Sequence, residues 1–405
     1  MSRIQFIISG VQGRTFSGGL LCIFEYANHL TRLGHEVTVV PLEPSEAPQW
    51  FTPEFRLCLS QKSSFLNSMT KLLPDALRYL RSRSLERRTA LREAVADLLI
   101  SFSRFGTYPF RRASHLEVAP RILGTADVTI ATSFETALIV HLYGSGEKIH
   151  FMQHYEPLFA MDSDRPALAR NDGELAVMLP LKRIANSSWL AREVEKRHRL
   201  ADPIPVCNNA IDHDTFFPAT TPPASRERFM VLSYGGRDAT WKGFADAAAA
   251  IRKARETLPD LVWNVFGDAL LPPDNPVAPY NHLGFLAGPD LRAAYCQADA
   301  LLNPSWYESF PLFPLEAMAC GTAVITTPYG TEDFAVHQRN ALMVEPRDTE
   351  GMARAIIDLH RQVDLKDQLV REGLLTAQSF TWSSATKRLA ALLTPTSQQF
   401  SNSAG

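Results

Sequence analysis

Two successive series of short apolar runs, separated by longer helical patterns, constrain the fold of this chain most strongly. This alternation is typical of parallel sheets that helices cover on both faces. The sequence therefore predicts an α/β protein with two doubly wound domains. In the first series the predicted strands are 3–9, 36–42, 55–60, 128–133, 148–153, 183–187 and 204–207, and in the second they are 229–233, 262–266, 280–283, 300–303, 323–327 and 341–345.

The length and the composition of the chain agree with two domains. A chain of 405 residues that is 45% hydrophobic is too large for one core. The segment 211–228 concentrates proline, threonine and charge, as expected at a domain boundary. We expect a first domain at 1–210, a hinge at 211–228, a second domain at 229–380, a C-terminal helix at 381–394 that packs back toward the first domain, and a disordered tail at 395–405.

Charge and cysteine content exclude several classes of function. A net charge of -2, from 41 basic and 43 acidic residues, argues against nucleic acid as a partner. The five cysteines are scattered without a Cys-x-x-Cys pair, which predicts neither a disulfide framework nor a zinc site. No apolar run approaches the roughly 20 residues that span a bilayer, and the chain opens as a strand, so neither a transmembrane helix nor a signal peptide is predicted. We expect a cytoplasmic protein.

Each predicted domain has a glycine turn after its first strand, where doubly wound sheets bind ligands. In the first turn Gly18 and Gly19 stand directly before a helix and would let the backbone approach a ligand closely. An ordinary tight turn is the alternative interpretation. In the second turn Arg237 and Lys242 bracket a strand-to-helix loop, where they could neutralise a diphosphate.

The most informative stretch is 303–321, NPSWYESFPLFPLEAMACG, in which Glu308 and Glu316 lie eight positions apart. The pattern predicts a short helix that begins after Pro314 and ends at Gly321. The amino end of such a helix, at the mouth of an α/β sheet, is a place where phosphates bind. Two carboxylates beside an anion site indicate that they hold hydroxyl groups.

This stretch resembles the Glu-x7-Glu element of the retaining nucleotide-sugar glycosyltransferases of family 4. Other segments resemble the same family in order and spacing, namely RLGHEVTVV, FMQHYEP, RIANSSWLAREV, CNNAIDHDTFFP, YGGRDATWKG and HLGFLAGPDLRAAYCQADALLNPS. The resemblance implies a glycosyltransferase-B fold, with two facing Rossmann-like domains and the reaction in the cleft. It also implies a nucleoside diphosphate sugar as donor, retention of anomeric configuration, and no cofactor.

The resemblance assigns roles to individual residues. Arg237 and Lys242 would stabilise the diphosphate that leaves the donor. Glu308 would hold a hydroxyl of the donor sugar or steady positive charge at the anomeric carbon, and its alternative is a loop glutamate facing water. His154 would contact that sugar from the other domain, and its alternative is a satisfied buried histidine. Glu316 would accept the ribose hydroxyls, and it could compensate the helix dipole at the same time.

The remaining predicted substrate contacts lie in two segments. The backbone of Gly284, Phe285 and Leu286 would meet the base, with the Phe285 ring either beneath the base or in the core. Ser309, Phe310 and Leu312 complete the predicted contacts. Where the family usually has a glycine, this chain has Pro311, which cannot donate an N–H to phosphate. Either Leu312 and Phe313 supply backbone donors, or the diphosphate depends more on Arg237 and Lys242.

No metal is expected, although the sequence contains two Asp-x-Asp motifs. Asp162-Ser163-Asp164 and Asp212-His213-Asp214 are interpreted as solvated loop acids, the first in a polar loop and the second at the hinge.

The basic amphipathic segment 71–92 is the one sequence clue to the acceptor. It could lie on an anionic membrane surface, as a peripheral contact on the inner face of the membrane, or form a solvated helix at the rim of the cleft. The predicted function is transfer of a hexose or of a deoxysugar such as rhamnose to a saccharide or lipid-linked saccharide, in surface glycan assembly. The alternatives are a sugar-nucleotide epimerase or phosphorylase of the same fold, a non-catalytic two-lobe sugar-binding protein, and a catalytically inactive partner subunit.

Overall fold

The computed structural model describes residues 1–14, 16–59, 108–158, 166–220, 228–236, 239–267 and 279–393. The chain forms two compact units, and it passes from the first to the second at Asn208 and returns to the first at Ser383. Residues 187–189 also belong to the second unit. Four features named above lie outside the described residues: the segments 71–92 and 395–405, the Asp162-Ser163-Asp164 motif, and Arg237.

The first unit contains a parallel sheet of six strands. These are β1 (Arg3–Ile8), β2 (Glu36–Pro41), β3 (Arg56–Leu57), β4 (Val128–Ala131), β5 (Glu147–Met152) and β6 (Lys182–Ala185). Their order is β3-β2-β1-β4-β5-β6, and every neighbouring pair is parallel. This is the doubly wound order: successive strands are added outward from β1 on one side up to β3 and from β4 on the other side, so the strand order reverses between β1 and β4.

Helices cover this sheet and are built from the apolar positions that the sequence shows. They are α1 (Gly18–Arg32), α2 (Tyr108–Ile122), α3 (Phe134–Tyr143), α4 (Pro166–Met178) and α5 (Ser188–His198). Helix α1 buries Cys22, Phe24 and Leu30, and Gly34 follows its end with φ of 88°. Gly34 ends this helix, because glycine adopts the left-handed conformation most readily.

The second unit repeats the same topology. Its strands are β7 (Met230–Tyr234), β8 (Val262–Phe266), β9 (Asn281–His282), β10 (Ala300–Asn303), β11 (Ala323–Thr326) and β12 (Leu342–Met343). They are ordered β12-β11-β10-β7-β8-β9, again with all neighbours parallel. The strand order reverses between β7 and β10, and we call this place the reversal point of the sheet. The carboxyl ends of these two strands form the expected ligand crevice.

Both faces of the second sheet are buried under helices. These are α6 (Phe244–Thr257), α7 (Gly288–Gln297), α8 (Leu312–Ala319), α9 (Thr349–Arg361) and α10 (Val363–Ala377). The last helix, α11 (Trp382–Leu393), belongs to the first unit from Ser383 onward. Consecutive residues of β7 enter opposite cores: Val231 packs with α6 and α9, whereas Leu232 packs with α7 and α8. This is the pattern of a strand buried on both sides.

Helix α11 ends in the first unit. The Lys182 Nζ atom donates to the carbonyl of Leu392 at 2.6 Å, and the Cys207 thiol donates to the carbonyl of Ala385 at 3.5 Å.

No helix among the described residues is long and apolar enough to cross a membrane.

Two local predictions were wrong. The run 204–207 forms no strand; Val206 makes only an isolated parallel bridge to Ala185. Helix α8 begins at Leu312, two residues before Pro314, and not after it. Proline is tolerated at the third position of a helix because the first N–H groups have no partner within the helix. The predicted end at Gly321 is confirmed: its φ is 77°, and the next N–H, of Thr322, donates to Ala317 O at 3.0 Å.

Candidate active site

Lys242 and Glu308 meet at the reversal point of the second sheet, between β7 and β10. Lys242 lies in the turn after β7, Glu308 lies in the loop after β10, and these two strands are neighbours. The Lys242 Nζ atom donates to Glu308 Oε1 at 2.5 Å, and the Ser305 hydroxyl donates to the same oxygen at 2.9 Å. Only 18% of the Lys242 side chain and 7% of the Glu308 side chain are exposed. The structure thus brings two of the predicted site residues together at the edge where such sheets bind ligands.

The two loops that carry this pair touch backbone to backbone. Gly243 has φ of 70°, and a Cβ atom there would lie 2.3 Å from the carbonyl oxygen of Pro304. The Trp306 N–H donates to the Trp241 carbonyl at 2.8 Å. Only glycine fits this close approach, which fixes the height of one loop against the other.

A third loop, after β11, supports Glu308 from behind. The Glu308 N–H donates to the Tyr329 carbonyl at 3.2 Å. Gly330 has φ of 88°, and a Cβ atom there would lie 2.1 Å from the Glu308 carbonyl oxygen. Gly330 was not identified as a site residue in the sequence analysis. Its only signal in the sequence is a single glycine in a turn after a strand, which is a common feature.

Glu316 lies on the buried side of α8 and is 5% exposed. Its Oε2 atom accepts from the Tyr295 hydroxyl of α7 at 3.0 Å. Burial raises the pKa of Glu316 to about 7; the Tyr295 hydrogen bond opposes this rise, and the charge of Asp212 adds to it. No described contact joins Glu316 to Lys242 or Glu308. Tyr295 was not predicted, because an aromatic residue on an apolar helix face reads as core.

The amino end of α8 offers few backbone donors. Pro311 stands directly before the helix and Pro314 is its third residue. Neither has an N–H, so the first-turn amides are those of Leu312 and Phe313. An anion bound at this helix end would therefore depend on side-chain cations more than is usual for such a site.

Phe310 and Ser309 are more buried than their predicted roles require. The Phe310 ring is 6% exposed and packs in the core, 5.4 Å from the Phe334 ring and 5.9 Å from the Phe380 ring. Ser309 is fully buried, and Leu312 is half-buried. A substrate contact of Phe310 would therefore have to come from its backbone.

The predicted base-binding segment follows β9. Gly284 has φ of 72°, no atom lies within 4 Å of a Cβ built there, and its carbonyl accepts from the Gly267 N–H at 2.8 Å. Phe285 is 54% exposed, whereas Leu286 packs against the core. Of the two positions considered for the Phe285 ring, the core is therefore wrong.

The first unit carries the other predicted residues. Gly18 and Gly19 are the first two residues of α1 itself, and no atom lies within 4 Å of a Cβ built at either one. The Ser17 side chain does not cap this helix. His154 is half-buried and lies two residues after the end of β5. The roles of these three site residues stay predictions.

Of the two Asp-x-Asp motifs, Asp212-His213-Asp214 lies among the described residues, and it forms a turn. The Oδ1 atom of Asp212 accepts from the Asp214 N–H at 2.9 Å, and its Oδ2 atom accepts from the Thr215 hydroxyl at 2.5 Å. Asp214 is exposed, whereas Asp212 is half-buried. Within the described ranges no three His, Cys, Asp or Glu side chains are grouped closely enough to hold a metal ion.

Comparison with known proteins shows that this chain is similar to glycosyltransferases. Residues 229–362 match the family model described as glycosyl transferases group 1. The D-inositol 3-phosphate glycosyltransferase of Paenarthrobacter aurescens is 27% identical over 257 residues, which cover 58% of this chain and 62% of that protein. The match thus spans about three fifths of the length of this curated relative.

Two solved structures resemble nearly the whole chain. Sucrose-phosphate synthase from Thermosynechococcus elongatus superposes with a TM-score of 0.69 at 17% identity, covering 99% of this chain and 100% of that one. Anabaena HepE, solved in complex with UDP and glucose, gives a TM-score of 0.66 at 15% identity, covering 97% and 99%. At such identities the likeness concerns the fold, and it confirms the predicted one. This chain has the glycosyltransferase-B fold, and its residues 229–362 match the model of the group 1 glycosyl transferases.

Proposed function

We propose that this protein is a retaining glycosyltransferase that uses a nucleoside diphosphate sugar as donor. The observation that carries the proposal is the Lys242–Glu308 pair, which lies at the reversal point of a sheet within the group 1 domain. A buried cation at this point suits a diphosphate, and a carboxylate beside it suits sugar hydroxyls. The relative named as a D-inositol 3-phosphate glycosyltransferase supports glycosyl transfer as the reaction, and the HepE complex with UDP and glucose supports this class of donor.

The proposed reaction breaks the bond between the anomeric carbon and a diphosphate oxygen. The acceptor oxygen forms its new bond on the same face, and its proton passes to the departing diphosphate. Lys242 would stabilise the charge that develops on that leaving group, and Arg237 is proposed to share this role. Glu308 would hold a donor-sugar hydroxyl through its Oε2 atom, since Lys242 and Ser305 both engage its Oε1 atom.

The nucleoside part of the donor is proposed to bind farther along the same sheet edge. Glu316 would accept ribose hydroxyls, since Tyr295 engages its Oε2 atom and leaves acceptor capacity on the carboxylate. The exposed ring of Phe285 would stack against the base. His154, Gly18 and Gly19 would serve the donor sugar and the acceptor.

A thermal-shift panel of UDP, GDP, dTDP and ADP tests the proposal. A ligand present at 100 times its Kd stabilises the folded protein by about 2.7 kcal/mol, so one nucleotide should raise the melting temperature clearly. The same nucleotide should give a much smaller shift with Lys242→Met. The absence of any shift at millimolar nucleotide would contradict the proposal.

Product analysis separates the proposal from its alternatives. A transferase consumes the donor sugar only when an acceptor is present. Isomerisation of the sugar nucleotide without acceptor would instead identify an epimerase. Binding of free sugar with no response to nucleotide would identify a sugar-binding protein.

The acceptor is proposed to be a saccharide or a lipid-linked saccharide of a surface glycan, with a hexose or rhamnose transferred in the cytoplasm. The basic segment 71–92 motivates the membrane part of this proposal. Sedimentation with vesicles tests it: binding to anionic vesicles should exceed binding to neutral ones and should weaken as salt rises. Equal binding to both vesicle types would contradict a membrane role for this segment.

A further inference from the structure

Two aromatic rings stand face to face beside the Lys242–Glu308 pair. The rings of Trp241 and Tyr307 are 6.0 Å apart between centroids and only 10° from parallel. Trp241 directly precedes Lys242 in the chain, and Tyr307 directly precedes Glu308. The dipeptide Trp241-Lys242 of one loop therefore faces the dipeptide Tyr307-Glu308 of the other: the two rings stack, and the ammonium binds the carboxylate.

The Lys242 ammonium also lies over aromatic faces. Its Nζ atom is 4.5 Å from the centroid of the Trp241 ring and 5.9 Å from that of Tyr234. An aromatic face attracts a cation without neutralising it. Contact with Glu308 and contact with Trp241 therefore differ in one respect: only the first pairs the ammonium with an opposite charge.

The backbone at Trp241 is held by the second loop, and the ring packs on that loop as well. Its carbonyl accepts from the Trp306 N–H at 2.8 Å, and the next residue after Lys242 is the tightly packed Gly243. Stacking on Tyr307 holds the indole plane against the second loop. A lysine has a long flexible side chain, so a rigid face beside its ammonium restricts where that charge can go.

We propose that Trp241 and Tyr307 form an aromatic clasp that positions the Lys242 ammonium for the diphosphate of the donor. The clasp acts through Lys242, so both aromatic residues are positioning residues of the site. This inference rests on the proposed function. It adds to that function a specific source of diphosphate affinity, at a helix end where two prolines remove backbone donors.

Calorimetric titration of UDP and of uridine tests the clasp, with the matching pair of another base used if the panel selects GDP, dTDP or ADP. The nucleoside lacks the diphosphate, so its affinity reports the rest of the pocket and the integrity of the fold. We expect Trp241→Leu to raise the Kd of UDP about tenfold and to leave the Kd of uridine unchanged. Trp241→Phe should restore part of the lost affinity, since it keeps an aromatic face.

Two further variants make the result independent of one substitution. Tyr307→Leu removes the other ring of the clasp and should give the same selective loss for UDP. Trp306→Leu is the matched control: this neighbouring indole donates to Asp246 at 2.7 Å and lies 3.7 Å from the Arg347 guanidinium. Its loss should leave the ratio of UDP to uridine affinity unchanged.

The double variant of Trp241→Leu with Lys242→Met completes the test. A clasp that works through Lys242 predicts little further loss of UDP affinity once Lys242 is gone. Fully additive losses would overturn the inference, as would equal weakening of UDP and uridine in Trp241→Leu and Tyr307→Leu. Failure of the wild-type protein to bind any nucleoside diphosphate would instead remove the proposed function, and it would show before any variant is made.

Discussion

Replacement of Gly330 by alanine is the sharpest perturbation of the candidate site, because it adds one methyl group behind Glu308 and leaves every proposed functional side chain chemically unchanged. The Cβ atom of an alanine at this position would lie 2.1 Å from the Glu308 carbonyl oxygen. Real Cβ contacts essentially never fall below 3.0 Å, so the two loops must separate by about 1 Å. The φ of 88° adds strain of about 1 to 2 kcal/mol for an L side chain.

The shift should reach the chemistry. The contact of 2.5 Å between Lys242 and Glu308 depends on the position of the Glu308 backbone. Misplacement of a catalytic group by about 1 Å can cost about 100-fold in rate. We therefore expect Gly330→Ala to lower kcat/KM about 100-fold while the protein stays folded.

Gly34→Ala provides the matched control for steady-state assays with the donor that the panel selects. Gly34 has the same φ of 88°, but no atom lies within 4 Å of a Cβ built there. It should show the cost of backbone strain in its melting temperature and retain its turnover within about twofold. Equal kinetic effects of the two variants, or full activity of Gly330→Ala, would refute the reasoning from contact with Glu308.

Three further predictions follow from the charged groups. Glu308→Gln keeps the shape of the side chain and loses its charge, so kcat should fall about 100-fold while UDP binds at least as tightly, because Lys242 is released; weaker UDP binding would contradict this. Glu316 has a pKa of about 7 in the fold against 4.5 unfolded, so it binds its proton more tightly in the folded state and the free energy of unfolding should fall as pH rises from 4.5 to 7. Denaturant titrations of Glu316→Gln should lack this fall, of about 3 kcal/mol, and parallel pH profiles of variant and wild type would exclude it. His150 is buried, and burial first, with the Arg183 charge second, lowers its pKa from 6.5 to about 4, so the unfolded chain takes up the proton first and stability should be lost as pH falls from 6.5 to 4. His150→Leu should remove most of that loss of about 3 kcal/mol, and an unchanged acid dependence would contradict the assignment.

Sequence periodicity predicted the sheets well because buried parallel strands leave a strong apolar signal. Val231 and Leu232 of β7, for example, enter opposite cores, and such a run is apolar at every position. The run 204–207 is similar in character but makes one bridge only. Periodicity alone does not show whether a short run finds a neighbouring strand.

The pairing within the site was predicted in part. Glu308 and Lys242 follow neighbouring strands at a reversal point, so topology brings them together and a sequence reading can find them. Tyr295, Trp241 and Gly330 were missed, since each acts through a contact far along the chain. Such contacts depend on loop packing, which leaves no periodic signal.

Proline explains the misplaced start of α8. The prediction placed Pro314 at the first helical position, where proline is common. The structure places it third and puts Pro311 just before the helix. Both positions tolerate a missing N–H, so sequence alone does not distinguish them.

The central claim is that Lys242 holds the diphosphate of a sugar nucleotide at the reversal point of the second sheet. Isothermal titration of the panel's preferred nucleoside diphosphate into the wild-type protein and into Lys242→Met tests this claim most directly. A charged hydrogen bond lost from a buried site should raise the Kd at least about tenfold. Equal affinity of the two proteins, with both folded, would contradict the account.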